Sequence, residues 1–334
     1  MSLGTVTIVI PTYKRPEKLR RAISSVLEQS YRDVVALVSD NASCDGTREM
    51  VQGLAAADPR VAYHCHEENI GMINNFNFAF GKVASPFFGV LSDDDYLLPD
   101  FVADAMQAFV QYPATRLSIL NVRHVDESGR VLGDQLAGWP REGAYQPGES
   151  ILLTVDGSHP IITGCLFRRE IIGDLFLDAA MGCGVDVAVM MRTMAKHPFF
   201  LSKKIGAHFV RHQQAAGCNT ARAVQDTFSY ISRIEGYIDR DAAIPEPVKR
   251  ILLERLRRKV DSVCFSLLLL TMGNDRTAFE EIASGLKGRH LSLFLLAAKT
   301  LTLAVQLPGG TGLVTWSVGA IKGVRDVVCQ TRTS

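Results

Sequence analysis

"FFGVLSDDDYLLPDF", residues 87–101, runs an apolar segment straight into three consecutive carboxylates. Phe87–Leu91 reads as a buried strand, Ser92 ends it, and Asp93, Asp94 and Asp95 follow at once. Adjacent carboxylates repel one another, so the tip of an apolar strand is a costly place to hold three. A divalent cation removes the conflict. Mg²⁺ and Mn²⁺ take oxygen ligands, and Mg²⁺ commonly binds one or two protein carboxylates together with substrate phosphates. The bland alternative is a solvated acidic turn in which Asp100 caps the next helix.

The surrounding sequence bears on that choice. "TVTIVI" (5–10) is apolar and β-branched, as in a strand covered on both faces, and Pro11 is expected to end it. "PEKLRRAISSVLEQS" (16–30) has Pro16 in its first turn and Leu19, Ile23, Val26 and Leu27 on one helical face. "DVVALVSD" (33–40) is a second strand, "SCDGTREMVQGLAAA" (43–57) a helix with a capping-type start, and "RVAYHCHE" (60–67) a third strand. "MINNFNFAFGKVA" (72–84) and "PDFVADAMQAFVQY" (99–112) are helical. This order predicts an α/β fold with a mostly parallel, Rossmann-like central sheet and helices on both faces. Such sheets bind ligands beyond the carboxyl ends of their strands. Four polar clusters fall there: Pro11-Thr12-Tyr13, Asp40-Asn41, Asn69 with Gly71, and Asp93–Asp95. Their convergence favours the metal reading. Asp40 is either a ligand for a base or ribose or a residue of the turn "DNASCDGT".

Beyond residue 115 the pattern changes. "RLSILNVRHVDESGRVLG" (116–133) predicts two strands around a D-E-S-G turn. "HPIITGCLFRREII" (159–172) reads as a strand entering a helix, "GVDVAVMMRTMAKH" (184–197) as a helix opening on Asp186, and "FFLSKKIGAHFVRH" (199–212) as a strand. From about 220 the chain reads helical, with a boundary at "IPEP" (244–247).

Four segments, "VTIVIPTYKRPEKLRRAISSVLEQSY", "SDNASCDGT", "ENIGMINNFNFAFGKV" and "LSDDDYLLP", occur in an order and spacing that resemble the nucleotide-binding half of family 2 glycosyltransferases. The resemblance is dense over 5–112 and looser to about 215. It implies a GT-A catalytic domain over 1–215, with a nucleotide-binding half (1–115) and an acceptor-binding half (116–215), before a helical C-terminal region (216–334). It also implies inverting transfer from a nucleotide-diphospho-sugar, usually UDP-linked, to a hydroxyl of a carbohydrate or lipid-linked acceptor, with Mg²⁺ or Mn²⁺ as cofactor. Pro11, Thr12 and Tyr13 match the loop that packs on the nucleotide, and Arg15 joins them. Asp40 matches the acid that reads the base, and Asn69 and Gly71 the N-x-G loop near base and ribose. Asp93–Asp95 match the D-x-D region, commonly D-x-D-D, with Ser92 at its first position. Asp94 is the expected main metal ligand, with Asp95 beside it and Asp93 toward the ribose.

The family's catalytic base stands at the start of a helix in the second half. Here that is Asp186, preceded by Val185 where a second acid is usual. Asp178 is the nearest competitor, and a helix-terminus role for Asp186 is the bland alternative. "HFVRHQQAAGCNT" (208–220) resembles the family's R-x-H segment, which offers His212 to the metal or diphosphate and Arg211 to phosphate charge. In "HPIITGCLFRRE", Thr163 and Gly164 are expected to border the donor sugar, and His159 is a further candidate.

Net charge is +1, which gives no sign of a nucleic-acid partner. From Pro245 onward, however, 13 Lys/Arg stand against 7 Asp/Glu, and this basic stretch contains the apolar runs "VDSVCFSLLLLTM" (260–272) and "LSLFLLAAKTLTLAVQL" (291–307). They fit helices packed on the catalytic domain or a second subunit, and equally membrane-surface helices near lipid-linked acceptors. Seven scattered cysteines without a C-x-x-C pair, and no signal-peptide pattern, point to reduced thiols in the cytoplasm, with the inner face of the membrane as an alternative place. An NAD-dependent oxidoreductase would share the strand–helix alternation but needs G-x-G-x-x-G after the first strand, where "IPTYKRP" stands. A catalytically idle nucleotide-sugar-binding protein would keep the acids at 40 and 93–95 and lack a working base.

Overall fold

β1 (Val6–Thr12) is central to the sheet, and all seven of its residues are buried. The structure, a computed structural model, describes residues 3–149, 159–177, 185–212 and parts of 235–256. β1 pairs in parallel with β2 (Val34–Asp40) on one side and β4 (Phe87–Val90) on the other. β2 pairs in parallel with β3 (Val61–Cys65). Helices α1 (Pro16–Leu27), α2 (Thr47–Ala57) and α3 (Met72–Gly81) connect these strands. The sheet then continues from β4 through β9 (Cys165–Arg168), β6 (Leu117–Asp126) and β10 (Phe199–Arg211) to β5 (Tyr96–Leu97). β9 runs antiparallel to both β4 and β6, and so joins the parallel N-terminal half to a second parallel pair, β6 and β10. β7 (Val131–Asp134) and β8 (Gly143–Tyr145) pair antiparallel with β6 and β10. Helices α4 (Phe101–Gln111), α5 (Ile172–Leu175) and α6 (Val185–Lys196) complete the α/β architecture expected from the alternating pattern.

Three local features depart from expectation, each for a physical reason. Pro11 does not end β1, which runs on to Thr12. Val6 N–H bonds toward β2 and Val9 C=O accepts from Leu91, so the odd-numbered groups of β1 face β4. Pro11 therefore lacks its N–H on the β4 side, where pairing stops at Val9, while pairing with β2 continues to Asp40. Helix α2 begins at Thr47 rather than 43, because Ala42, Cys44 and Gly46 all hold positive φ (61°, 53° and 86°) in the preceding turn. Asp100 precedes α4 but does not cap it with its side chain; its carboxylate accepts the Ser30 hydroxyl at 2.7 Å.

The acidic segment is held from behind by the end of α1. Ser25 Oγ accepts from Leu97 N–H at 3.1 Å. Gln29, fully buried, donates to Leu98 C=O at 2.7 Å and accepts from Val102 N–H at 2.9 Å. The α1 face that carries Leu19, Ile23 and Val26 packs into the same core as Ile8, Phe101 and Val102.

The stretches 260–272 and 291–307, the boundary at 215/216 and the competitor Asp178 lie outside the described residues. Among the described residues no helix is long and apolar enough to cross a membrane.

At the β4–β9 seam, a Cβ added to Gly89 would lie 2.7 Å from Leu166 Cδ2 and 3.2 Å from the Cys165 carbonyl oxygen. Gly89→Ala is expected to cost about 1–3 kcal/mol by overpacking. Chemical denaturation checks this, and a wild-type midpoint would contradict the packing described.

Candidate active site

The loops after β1, β2, β3 and β4 are stitched together by side chains. Thr12 Oγ1 donates to Asp93 Oδ2 at 2.7 Å. Asn41 donates its N–H to Thr12 C=O at 3.0 Å and its Nδ2 to Asn69 Oδ1 at 2.9 Å, and its Oδ1 accepts from Ile70 N–H at 2.9 Å. Asn69 Oδ1 also accepts from Gly71 N–H at 2.9 Å, and Gly71 starts α3 from φ +83°. Tyr13 is exposed, and the neighbouring Asn69 side chain lowers the pKa of its phenol. Pro11 is buried within β1.

Asp40 sits beneath these loops with 1% of its surface exposed. Oδ1 accepts from Ser43 N–H at 3.0 Å and from the Ser43 hydroxyl, and Oδ2 accepts from the Tyr63 phenol at 2.8 Å. Burial and the Asp40 bond together push the Tyr63 phenol up. A carboxylate offers about four acceptor sites, so roughly one remains for a ligand.

The three consecutive aspartates occupy three different environments. Asp95 is fully buried; Oδ1 accepts from Val210 N–H and Oδ2 from the Thr163 hydroxyl, each at 2.9 Å. Burial, then the charge of Asp94, push its carboxyl up to about 7. Asp93 is also raised by burial, against the opposing pull of Thr12 and Arg15. Asp94 is the outermost, with its side chain 19% exposed. Its Oδ2 accepts from Arg15 Nη1 at 2.8 Å and lies 3.2 Å from His212 Nε2. Arg15 Nη1 reaches Asp93 Oδ1 as well, at 3.1 Å.

His212 Nδ1 is 2.9 Å from Glu127 Oε1. Lys18 Nζ lies 3.2 Å from the same nitrogen and 3.5 Å from Glu127. A neutral imidazole has one N–H. A protonated ring donates to both Glu127 and Asp94; a neutral ring that gives its N–H to Glu127 turns the Nε2 lone pair toward Asp94 Oδ2, where a cation could sit between them. Adjacent ligands of an octahedral ion, each about 2.1 Å from it, stand about 3 Å apart, so the 3.2 Å separation fits. Among the described residues no group of three or more His, Cys, Asp or Glu is placed to hold a metal. A cation here would take two protein ligands and complete its shell with phosphate and water oxygens, as Mg²⁺ commonly does.

On the other side, Asp186 is exposed in the first turn of α6. It lies near His159, whose pKa burial lowers and Asp186 raises. The His159 carbonyl accepts from Gln135 Nε2 at 2.7 Å, Gln135 Oε1 is 2.6 Å from His124 Nε2, and Arg211 Nε donates to His124 Nδ1 at 3.2 Å. Arg211 is thus engaged with His124 rather than with the acidic loop. Thr163 and Gly164, expected beside a sugar, are buried: Thr163 holds Asp95, and a Cβ at Gly164 would lie 2.6 Å from Leu120 C=O. Sequence reasoning passed over Lys18, Arg21, Gln135 and Glu127, and placed Asn41 among the strand-end polar clusters without giving it a role. Arg21 Nη2 donates to Asp94 C=O at 2.6 Å. The spacing of Arg15, Lys18 and Arg21, three apart at the start of a helix, was the readable signal for two of them; Glu127, in a D-E-S-G turn, carried none.

This arrangement, polar loops at the carboxyl ends of parallel strands, meets its counterpart in known proteins. The sequence profile of "Glycosyl transferase family 2" matches residues 7–176, about half of the chain. The chain belongs to family 2 of the glycosyltransferases. It is 32% identical over 103 residues to a GalNAc(5)-diNAcBac-PP-undecaprenol beta-1,3-glucosyltransferase of Campylobacter jejuni, covering 30% of this chain and 33% of that one. It is 24% identical over 134 residues to the glycosyltransferase GlyA of Streptococcus pneumoniae, covering 39% and 19%. The chain thus spans a third or less of these relatives' length. Among solved structures, Staphylococcus aureus TarS 1–349 in complex with UDP-GlcNAc superposes with a TM-score of 0.63 at 16% identity, covering 84% of this chain and 81% of that one. A mannosyltransferase of Pyrobaculum calidifontis in complex with GDP-Man and Mn²⁺ gives 0.55 at 15% identity, covering 91% and 88%. These likenesses establish the GT-A fold.

Removing the Tyr63 hydroxyl deprives a buried carboxylate of a partner. Tyr63→Phe is expected to lower stability by about 1–3 kcal/mol, read from denaturant unfolding. An unchanged midpoint would mean that Asp40 finds water instead.

Proposed function

We propose that the protein is an inverting glycosyltransferase that moves a sugar from a UDP-linked donor to a hydroxyl of a carbohydrate or lipid-linked acceptor, with Mg²⁺ or Mn²⁺ as cofactor. One observation carries the reading: Asp94 Oδ2 and His212 Nε2, 118 residues apart in a family 2 chain, meet at 3.2 Å beside a cationic helix start. In this reading Asp94 and His212 hold the cation, and Glu127 orients the imidazole. Asp95 acts from behind, fixing the loop through Val210 and Thr163. Asp93 faces the ribose, and Asp40, Tyr13, Asn69 and Gly71 receive the nucleoside. UDP-GlcNAc in the TarS complex supports a nucleotide-diphosphate donor, and Mn²⁺ in the mannosyltransferase complex supports the cofactor.

When bound, the cation offsets the charge that builds on the departing diphosphate. Arg15 and Lys18 donate to phosphate oxygens. Asp186 removes the proton of the acceptor hydroxyl as that oxygen attacks the anomeric carbon from the face opposite the diphosphate, which inverts its configuration. The exposure of Asp186 suits a group that must meet an incoming acceptor. The product belongs to polysaccharide, glycan or glycolipid synthesis, in keeping with the relatives' names. A lipid-linked acceptor would set the protein at the inner face of the membrane, with residues 216–334 as the contact or as an oligomer surface.

Asp186→Asn is expected to lower kcat about 10²–10⁴-fold while UDP affinity stays within about twofold, measured by donor turnover and calorimetry. Wild-type turnover would remove Asp186 from the mechanism and favour an idle binding protein or another base. Glu127→Gln is expected to weaken Mn²⁺ binding about 10–100-fold; an unchanged affinity would separate Glu127 from the cation.

A further inference from the structure

Arg15 already occupies the electrostatic position that a divalent cation would claim. Its Nη1 contacts Asp94 Oδ2 at 2.8 Å, the same oxygen that lies 3.2 Å from His212 Nε2. The same nitrogen also reaches Asp93 Oδ1 at 3.1 Å, while Thr12 holds the other oxygen of Asp93. A guanidinium and a divalent ion cannot both serve one carboxylate oxygen at contact distance without strong mutual repulsion. Yet the Arg15 side chain is 49% exposed, whereas those of Asp93 and Asp94 are 8% and 19% exposed. An ion pair with one end so open to water is weak, so the guanidinium leaves readily for a better anion. Arginine binds phosphate in bidentate fashion, which makes a diphosphate that better anion.

We propose that Arg15 is a placeholder cation that occupies Asp94 until the donor's diphosphate draws it away, so that divalent metal loads together with the nucleotide rather than before it. This rests on the reading of Asp94 as a cation ligand given above. Without nucleotide, the arginine competes with the metal for Oδ2 and lowers its apparent affinity. With nucleotide bound, the arginine pairs with phosphate, the oxygen is released, and the cation gains phosphate ligands as well. Linkage then fixes a quantitative relation. Where the nucleotide-bound form holds the metal equally well with and without Arg15, the factor by which losing Arg15 tightens metal binding to the free protein equals the factor by which it reduces the coupling between metal and nucleotide.

The test is Mn²⁺ binding to the full chain, read by electron paramagnetic resonance with and without saturating UDP, for wild type, Arg15→Ala, Arg15→Lys and Asp94→Asn. Thermal melts show that each variant is folded. The expected result is that Arg15→Ala binds Mn²⁺ alone at least fivefold more tightly than wild type. With UDP saturating, its Mn²⁺ affinity should match wild type within about twofold, so the coupling falls by the same fivefold or more. Arg15→Lys, which keeps the charge on a shorter side chain that lacks the bidentate grip on phosphate, should fall between the two. Asp94→Asn should lose Mn²⁺ binding in both conditions. If Asp94→Asn binds Mn²⁺ as wild type does, the underlying cation site is wrong. If Asp94→Asn loses the ion but Arg15→Ala binds Mn²⁺ alone no better than wild type, the site stands and the placeholder is overturned.

Discussion

Like-charge repulsion among Asp93, Asp94 and Asp95 is the constraint around which the site is organised. Three carboxylates in a row cannot share one environment, and the fold answers by sending them in three directions. Asp95 turns inward to Val210 N–H and the Thr163 hydroxyl, Asp93 sideways to Thr12 and Arg15, and Asp94 outward to Arg15 and His212. The partners come from the loop after β1, the turn before β9 and the end of β10, so the acidic loop also fastens the N-terminal parallel strands to the second half of the sheet. Resolving the repulsion and joining the halves are one set of contacts.

Helix α1 serves this loop at both ends. Its last turn and the residues after it, Ser25, Gln29 and Ser30, hold the backbone of 97–102 through hydrogen bonds to Leu97, Leu98, Pro99 and Val102. Gln29 spends its amide on three partners with no exposure, which is what a buried polar side chain must do to avoid a desolvation cost. At its start, Arg15, Lys18 and Arg21 bring positive charge to Asp94 and His212. The partial positive charge of a helix N-terminus adds to theirs. One amphipathic helix thus places the carboxylates and supplies their counter-charge.

Much of this was readable in the sequence, for definite reasons. Strands covered on both faces write continuous apolar runs, so β1, β2 and β4 stood out, and the helices between them declared themselves by their spacing. β5 and β8, two and three residues long, carry no periodicity to read. The antiparallel direction of β9 was hidden too, because an apolar run has the same pattern in either direction. Within the site, the motif located the backbone positions of Thr12, Asp40 and Asp93–Asp95. It did not say which way the side chains turn: Thr163 toward Asp95, Arg211 toward His124, and Asp40 toward Ser43 and Tyr63. Those directions depend on contacts between residues far apart in the chain, which no local pattern encodes.

The two sides of the site are built to different tolerances. Thr12, Asn41, Asn69, Asp93 and Asp95 are each held by several side-chain and backbone bonds, so the frame of the proposed nucleotide side is tied together, with the half-exposed Arg15 as its movable member. Asp186 is exposed in the first turn of α6. Preorganised dipoles matter most where charge develops during reaction, and in transfer from a diphosphate that place is the leaving group. A base needs only to reach a hydroxyl brought in by the acceptor, and acceptor binding can complete its alignment. Rigidity on the leaving-group side and openness on the other are therefore what glycosyl transfer from one kind of donor would require of this sheet.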